Sequence, residues 1–131
     1  MFGFHPVNLA FRFVLELAAL AAMVAGSWAL TESWDVTAIR VLVSTLLPVV
    51  AALAWGTFNV PGDRSRSGDA PVPVPGLIRL IVEFDVFAVA VFLLWFAWPG
   101  GAVGLGVCVV VHYLLSIDRI AWLLGKGGTS T

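Results

Sequence analysis

Residues 8–30 read NLAFRFVLELAALAAMVAGSWAL, an apolar stretch long enough to cross a membrane as one helix. Inside it lie Arg12 and Glu16, four residues apart, and Trp28 twelve residues after Glu16. The same spacing returns at an offset of 67 residues in Arg79, Glu83 and Trp95. A charge in the middle of such a stretch costs about 2.5–3.5 kcal/mol to insert. Its recurrence at a fixed offset therefore indicates a duplicated architecture.

The composition is that of an integral membrane protein. Of the 131 residues, 60% are hydrophobic and 11% are charged, whereas a soluble domain has about 45–50% apolar and about 25% charged residues. Seven basic against eight acidic residues give no indication of a nucleic-acid partner. Cys108 is the one cysteine of the chain, so the sequence predicts neither an intrachain disulfide nor a redox motif.

Four apolar segments of membrane length are separated by turn-forming sequence. They cover residues 8–30, 36–58, 76–97 and 102–124. The first segment does not have the pattern of a cleaved signal peptide, because no Lys or Arg precedes Arg12 and Glu16 would interrupt its apolar core. We therefore predict four permanent membrane helices.

Basic residues outside these segments predict the orientation of the chain. Arg64 and Arg66 lie in the longest connection and Lys126 lies in the C-terminal tail, while the other two connections contain no Lys or Arg. The positive-inside rule then places both termini and the loop at residues 61–75 in the cytoplasm. We predict a multi-pass protein of the cytoplasmic membrane, with a solvated, proline-rich loop.

The predicted fold is all-α, an integral membrane four-helix bundle built from two helical-hairpin repeats of parallel orientation. The offset of 67 residues also carries Trp55 onto Trp122, in the second hairpin. The single membrane domain at residues 1–131 divides into repeat 8–58, loop 59–75, repeat 76–124 and tail 125–131. An axis along the membrane normal would relate the two repeats.

Polar residues of the predicted helices converge on one layer in the cytoplasmic half of the bundle. The candidate intramembrane site comprises Arg12, Glu16, Arg79, Glu83, Asp85, His112, Tyr113, Asp118 and Arg119. Its three cations and four carboxylates leave one excess negative charge. We expect Arg12 to pair with Glu83 and Arg79 with Glu16 across the axis, beside the local i, i+4 pairs. Charge reversal at Arg12 should then be rescued by Glu83→Arg.

Several short motifs are shared with a known family. They are residues 8–17, NLAFRFVLEL; Pro48 followed by residues 55–58, WGTF, and Pro61; and Arg79, Leu80, Glu83 and Phe87. In these motifs the chain resembles the YrdB-like family of small bacterial membrane proteins, a domain of unknown function. The resemblance covers most of the chain and implies a four-helix membrane fold with no established activity. The chain departs from it in a longer loop after Pro61 and in Asp118-Arg119, where an Asn-Arg pair is expected.

Three functions remain open. The first is binding or transport of a small apolar or cationic molecule through the charged layer, with Trp55, Trp95 and Trp122 as aromatic lining. Because Arg12 favours the ionised form of Glu16, this carboxylate suits an ion pair better than a proton carrier. His112, Asp85 and Asp118, which have no polar counterpart in the other repeat, are then the better places to look for activity.

The second function is structural, with ion pairs that fix helix register and an assembly role beside another membrane protein or a second copy. The third is a membrane-embedded enzyme in which His112 and Asp118 or Glu83 act as acid and base on a lipid or isoprenoid-like substrate. No nucleophile motif, phosphate-binding loop or metal-ligand spacing supports catalysis. We therefore predict no catalytic residue, metal or cofactor, with the lipid bilayer and a small-molecule ligand as partners.

Overall fold

The structure is a computed structural model that describes residues 2–66 and 69–125. The all-α class predicted from the sequence is confirmed. After a 3-10 turn at Phe2–Phe4, the elements are α1 (Pro6–Leu30), α2 (Thr37–Thr57), β1 (Phe58–Asn59), β2 (Val72–Pro73), α3 (Gly76–Ala97), α4 (Pro99–Leu115) and α5 (Ile117–Gly125). Lys126 and the rest of the predicted tail lie outside the described residues.

Two helices, α1 and α2, are each long and apolar enough to cross a membrane, and the pair α4–α5 makes a third candidate if it is counted as one span. The prediction of one continuous helix over residues 102–124 is wrong, because the chain bends by 66° between α4 and α5. At the break, the Ser116 amide donates to the Tyr113 carbonyl at 3.1 Å, which tightens the last turn of α4. The duplicated hairpin stays a prediction.

Helix α3 is the centre of the packing and contacts α1, α2, α4 and α5. Its buried residues recur every three to four positions and form one stripe along the helix: Gly76, Arg79, Leu80, Glu83, Phe87, Ala90 and Leu93. Glycine sets the distance to two neighbours, because a Cβ at Gly26 of α1 would overlap the Leu93 backbone and one at Gly76 would overlap the Leu123 backbone. The Gly76–Leu123 contact holds α5 against the start of α3, near Arg79 and Glu83, and the Gly26–Leu93 contact holds α1 against the far end of α3.

The loop between α2 and α3 folds back onto the helix ends. Strands β1 and β2 pair in parallel, with Phe58 opposite Val72. Gly62 adopts a positive φ of 79°, in the left-handed region that favours glycine, and the turn it makes directs Asp63 inward. Asp63 is 1% exposed, so the prediction of a fully solvated loop is wrong at this residue.

The start of the chain is tied to α5. The Gly3 amide donates to both carboxylate oxygens of Asp118, at 2.9 and 3.2 Å. Phe4 packs edge-on against Trp122, with ring centroids 6.3 Å apart, and the Arg64 guanidinium lies 4.9 Å from the Phe4 ring centroid. The N-terminal turn, the loop and α5 therefore form one closed end of the molecule.

A buried ionic cluster centred on Glu83

Glu83 is fully buried and its carboxylate accepts hydrogen bonds from four side chains. Oε1 accepts from the Tyr113 hydroxyl at 2.7 Å and from Arg119 Nη1 at 3.0 Å. Oε2 accepts from Arg119 Nη2 at 2.8 Å, from Arg79 Nε at 2.7 Å and from Arg12 Nη2 at 3.1 Å. One carboxylate thus joins α1, α3, α4 and α5. Arg119 binds it in the bidentate geometry that makes arginine–carboxylate pairs strong.

The loop supplies a second carboxylate to the same cluster. Arg119 Nη2 lies 2.7 Å from Asp63 Oδ2. Asp63 Oδ1 accepts from the backbone amide and the hydroxyl of Ser65, at 2.9 and 2.7 Å, and that hydroxyl accepts from Arg12 Nη1 at 2.5 Å. Asp63 and Ser65 therefore attach the loop to the arginines of α1 and α5.

Arg79 connects the cluster to the end of α2. Its Nη1 donates to the carbonyl oxygens of Trp55 and Phe58, at 2.6 and 2.9 Å. The Trp55 ring lies 4.7 Å from the Arg79 guanidinium and 5.3 Å from that of Arg12, distances typical of cation–π contacts. Trp55 also packs edge-on against Phe87 at 5.4 Å. Every helix of the described chain therefore contributes to the cluster or packs on it.

In the described part of the chain, the ion pairs of the cluster join three arginines to three carboxylates. Arg12, Arg79 and Arg119 face Glu83, Asp63 and Glu16, of which Glu16 lies 3.2 Å from Arg12 Nε with 25% of its side chain exposed. The membership of the layer differs from the prediction, because Asp85 and Asp118 lie elsewhere and Asp63 takes part instead, and the half-buried Arg66 lies close enough to interact with the same charges. Burying charges is tolerable only when they are paired in this way.

The structure brings together some predicted partners and separates others. Arg12 and Glu83, expected to meet across the axis, do so at 3.1 Å. Among residues 2–66 and 69–125 no ion pair joins Arg79 to Glu16, since Arg79 is held by Glu83 and by backbone carbonyls of α2 and β1. Asp85 is exposed on the outer side of α3. Asp118 is occupied by the Gly3 amide and does not reach the cluster.

His112 belongs to an adjacent polar network that contains no carboxylate contact. Its Nδ1 lies 3.1 Å from Asn8 Oδ1, and Asn8 Nδ2 donates to the Ser116 hydroxyl at 2.8 Å. The imidazole packs edge-on against Phe11, with centroids 5.7 Å apart. The acid–base pairs expected between His112 and Asp118 or Glu83 are therefore not formed by direct hydrogen bonds in the described part of the chain.

Only one of the three predicted lining tryptophans lies at the cluster. Trp55 is buried there, whereas Trp95 is exposed far along α3 and Trp122 packs on Phe4. The sequence reasoning also missed Asn8, Asp63 and Ser65. For Asp63 a signal exists, because a Pro61-Gly62 turn directly after an apolar helix can reverse the chain and point the next side chain inward.

A small apolar pocket adjoins the cluster between α1, α2 and α3. Its volume is about 210 Å³ and its lining comprises Phe13, Glu16, Leu17, Leu20, Ala51, Ala52, Trp55 and Val86. Glu16 is the one ionisable group in this lining, and Trp55 provides the wall shared with the cluster. In the described ranges no group of three or more His, Cys, Asp or Glu side chains could hold a metal ion.

Asp63 gives the cluster a pH dependence. Burial raises the pKa of this carboxyl, but the hydrogen bond and charge of Arg119 and the hydrogen bonds of Ser65 outweigh it and hold the pKa below its ordinary value of 3.8. A carboxyl with a lowered folded-state pKa stabilises the fold above its unfolded-state pKa, and this stabilisation is lost as the pH falls through the folded-state pKa.

We therefore expect the free energy of unfolding to differ between the wild type and Asp63→Asn by a constant amount from about pH 7 to 5 and by a shrinking amount below about pH 4. Denaturant titration in detergent micelles at several pH values measures this difference. A difference that changes mainly between about pH 5 and 7 would contradict the assigned role of Asp63.

Comparison with known proteins places the chain among proteins without an assigned activity. Residues 10–112 match the family model described as Protein of unknown function (DUF2568). The chain is 34% identical over 123 residues to "Uncharacterized protein YrdB" of Bacillus subtilis (strain 168), and the match covers 93% of this chain and 97% of that protein. No solved structure matches the chain.

Proposed function

The chain belongs to the DUF2568 family, and because that membership assigns no activity, we propose from the geometry of the site that it is a membrane protein that binds a small apolar molecule. In this proposal the pocket at Glu16 holds the ligand. The Glu83 cluster has a structural role and holds the helices around the pocket in a fixed arrangement. The observation that carries the proposal is the position of Glu16, the partly exposed carboxylate of the cluster, in the wall of an apolar pocket.

The proposed architecture is a four-crossing bundle in the cytoplasmic membrane, with both termini and the loop at residues 59–75 on the cytoplasmic side. Helices α1, α2 and α3 have 25, 21 and 22 residues, and at about 1.5 Å per residue each reaches about 30 Å or more. α4 supplies the fourth crossing, and α5 lies along the interface after its bend. Exposed apolar side chains on all four long helices support contact with lipid.

The structural role of the Glu83 cluster is supported by the hydrogen bonds that occupy both carboxylate oxygens of Glu83. Four side chains occupy the carboxylate of Glu83, so neither of its oxygens is left to exchange a proton with a substrate. Tyr113 is engaged by the same carboxylate and His112 by Asn8. These contacts disfavour proton-coupled transport through the layer and acid–base catalysis by its members.

The ligand class follows from the pocket wall. Its apolar side chains suit an aromatic or branched aliphatic body, and a free acceptor site on Glu16 suits a hydrogen-bond donor such as a hydroxyl group. A cation is less suitable, because Arg12 already neutralises Glu16 at 3.2 Å. We therefore propose a neutral, mostly apolar molecule with one hydrogen-bond donor.

The test uses 4-fluorobenzyl alcohol as the probe, with 4-fluorotoluene and 4-fluorobenzylammonium for comparison, and follows binding to the protein in nanodiscs by 19F NMR. Ala52→Leu fills the pocket and should weaken binding of the alcohol about tenfold or more, as expected for the loss of one buried site. Ala38→Leu, at an exposed position of α2 outside the pocket, is the matched control and should leave binding unchanged.

Glu16→Gln tests the hydrogen bond. A bond to a charged acceptor contributes about 1 kcal/mol more than a bond to a neutral one, so the preference for the alcohol over 4-fluorotoluene should fall about fivefold. Equal binding of the alcohol to wild type, Ala52→Leu and Ala38→Leu would show that the probe partitions into lipid only and would reject the pocket as the ligand site.

A further inference from the structure

Asp85 lies at the centre of the outward face of α3. Two steps along an α-helix turn the chain by about 200°, so Glu83 and Phe87, which are both buried, lie on the opposite side of the helix. Asp85 itself is exposed. Its carboxylate therefore points away from the Glu83 cluster.

The surroundings of Asp85 on this face are apolar. Ile81, Ala88, Val89 and Phe92 share the outward side of α3 and are all exposed. Within residues 2–66 and 69–125 no side chain forms an ion pair or hydrogen bond with the Asp85 carboxylate. The fold described above leaves this charge without a partner.

The depth of Asp85 makes such an arrangement costly. Asp85 follows the first residue of α3, Gly76, by nine positions, which corresponds to about 14 Å along the axis and nearly half of a hydrocarbon core of about 30 Å. An ionised carboxylate that faces lipid at this depth is expensive unless a cation pairs with it. This step rests on the proposed insertion of α3 in the membrane and is independent of the ligand pocket.

We propose that the outward face of α3 around Asp85 is a docking surface for a transmembrane helix of another membrane protein, which carries a Lys or Arg at the depth of Asp85. Charge complementarity selects this occupant. The surface also has the shape for it, because Ala88 leaves room beside the carboxylate and a groove of about 400 Å³ runs between α3 and α4, lined in part by Phe84, Ala88 and Gly106.

A second copy of the chain fits this surface less well. A two-fold contact through the same face would set two carboxylates against each other. Arg40 is engaged by the Trp28 carbonyl at 2.6 Å and stacked on its ring at 3.6 Å, and Arg64 and Arg66 lie in the loop between α2 and α3. Among the described residues no outward-facing cation is placed at the depth of Asp85.

The test replaces Val89, on the docking surface, with the photo-crosslinker p-benzoylphenylalanine. The control places the same crosslinker at Val50, on the exposed side of α2. Both variants are crosslinked in the membranes of cells that naturally contain the protein. We expect a protein adduct at Val89 whose crosslinked span contains Lys or Arg, and no such adduct at Val50. Asp85→Leu and Asp85→Asn should each reduce the Val89 adduct about tenfold or more, and reversing both charges of the pair should restore it.

The remaining outcomes each overturn the proposal. An adduct with a second copy of the chain, an adduct unaffected by Asp85→Leu, or adducts with lipid alone would exclude the docking surface while leaving α3 in the membrane. A Val89 position that reacts with neither lipid nor protein would instead refute the insertion of α3. Asp85→Leu should also raise the Tm of the isolated protein, because it removes an unpaired charge, so loss of the adduct cannot be ascribed to misfolding.

Discussion

Replacing Glu83 with glutamine is expected to destabilise the protein by about 3–5 kcal/mol, because it leaves three buried guanidinium groups without their common carboxylate. That is a large fraction of a typical total stability of about 5–15 kcal/mol. Glutamine has nearly the same shape, so the loss would come from charge and not from packing. The free energy of unfolding in mixed micelles, measured by denaturant titration, gives the effect directly.

Glu16→Gln is the matched control for this prediction. Glu16 occupies the equivalent place in the other copy of the Arg-x-x-x-Glu pattern, but its side chain is 25% exposed and has one cationic contact. The expected loss is below about 1 kcal/mol, as for a partly solvated ion pair. Equal losses for the two variants would contradict the asymmetry of the cluster.

Replacing Gly26 with alanine is expected to force α1 and α3 apart, because the new Cβ would overlap the Leu93 backbone. Backbone cannot move aside as a flexible side chain can, so the cost should be about 1–3 kcal/mol or more. Gly104→Ala is the control, since a Cβ at that glycine meets nothing within 4 Å. It should be neutral or stabilise α4 by up to about 1 kcal/mol through helix propensity.

Thermal unfolding of both glycine variants in the same detergent compares them. Gly26→Ala should lower Tm clearly, and Gly104→Ala should leave Tm unchanged or raise it. A similar Tm for Gly26→Ala and the wild type would contradict the close approach of α1 and α3 at Gly26 and Leu93.

Helix positions could be predicted well where the signals are local. The segment predicted at residues 76–97 coincides with α3, since Pro75 and Gly76 mark its start and Pro99 and Gly100 follow its end. The bend at Ser116 could not be predicted, because it accompanies a hydrogen bond from Asn8, 108 residues away in the sequence. The close approach at Gly26 likewise depends on which helix lies opposite.

The candidate site could be predicted in part for a similar reason. The repeated charges predicted a contact between Arg12 and Glu83, and the structure contains this contact. The symmetrical contact between Arg79 and Glu16 is absent because Arg79 binds carbonyl oxygens at the end of α2, a role that charge counting does not reveal. Asp63 could not be predicted as a member of the cluster, because it reaches the arginines through a turn. The direction of this turn depends on a positive φ at Gly62 and on the pairing of β1 with β2.

The convergence of three arginines on Glu83 changes one prediction that was based on the sequence repeat, the rescue of charge reversal at Arg12. If Arg12 and Glu83 formed an isolated pair, Glu83→Arg should rescue charge reversal at Arg12. In the structure the guanidinium introduced by Glu83→Arg would face Arg79 and Arg119, which both bind Glu83 now. We therefore expect no rescue of folded protein in the doubly reversed variant, as judged by the yield of monodisperse protein from membranes.

One carboxylate, Glu83, is shared by arginines of three helices. A double-mutant cycle between Glu83→Gln and Arg119→Gln tests it most directly, with the cycle between Glu16→Gln and Arg79→Gln as the reference. Because Glu83 and Arg119 are in direct contact and Glu16 and Arg79 are not, we expect a coupling free energy of about 1–3 kcal/mol for the first cycle and a value near zero for the second. Equal coupling in the two cycles, or none between Glu83 and Arg119, would contradict it.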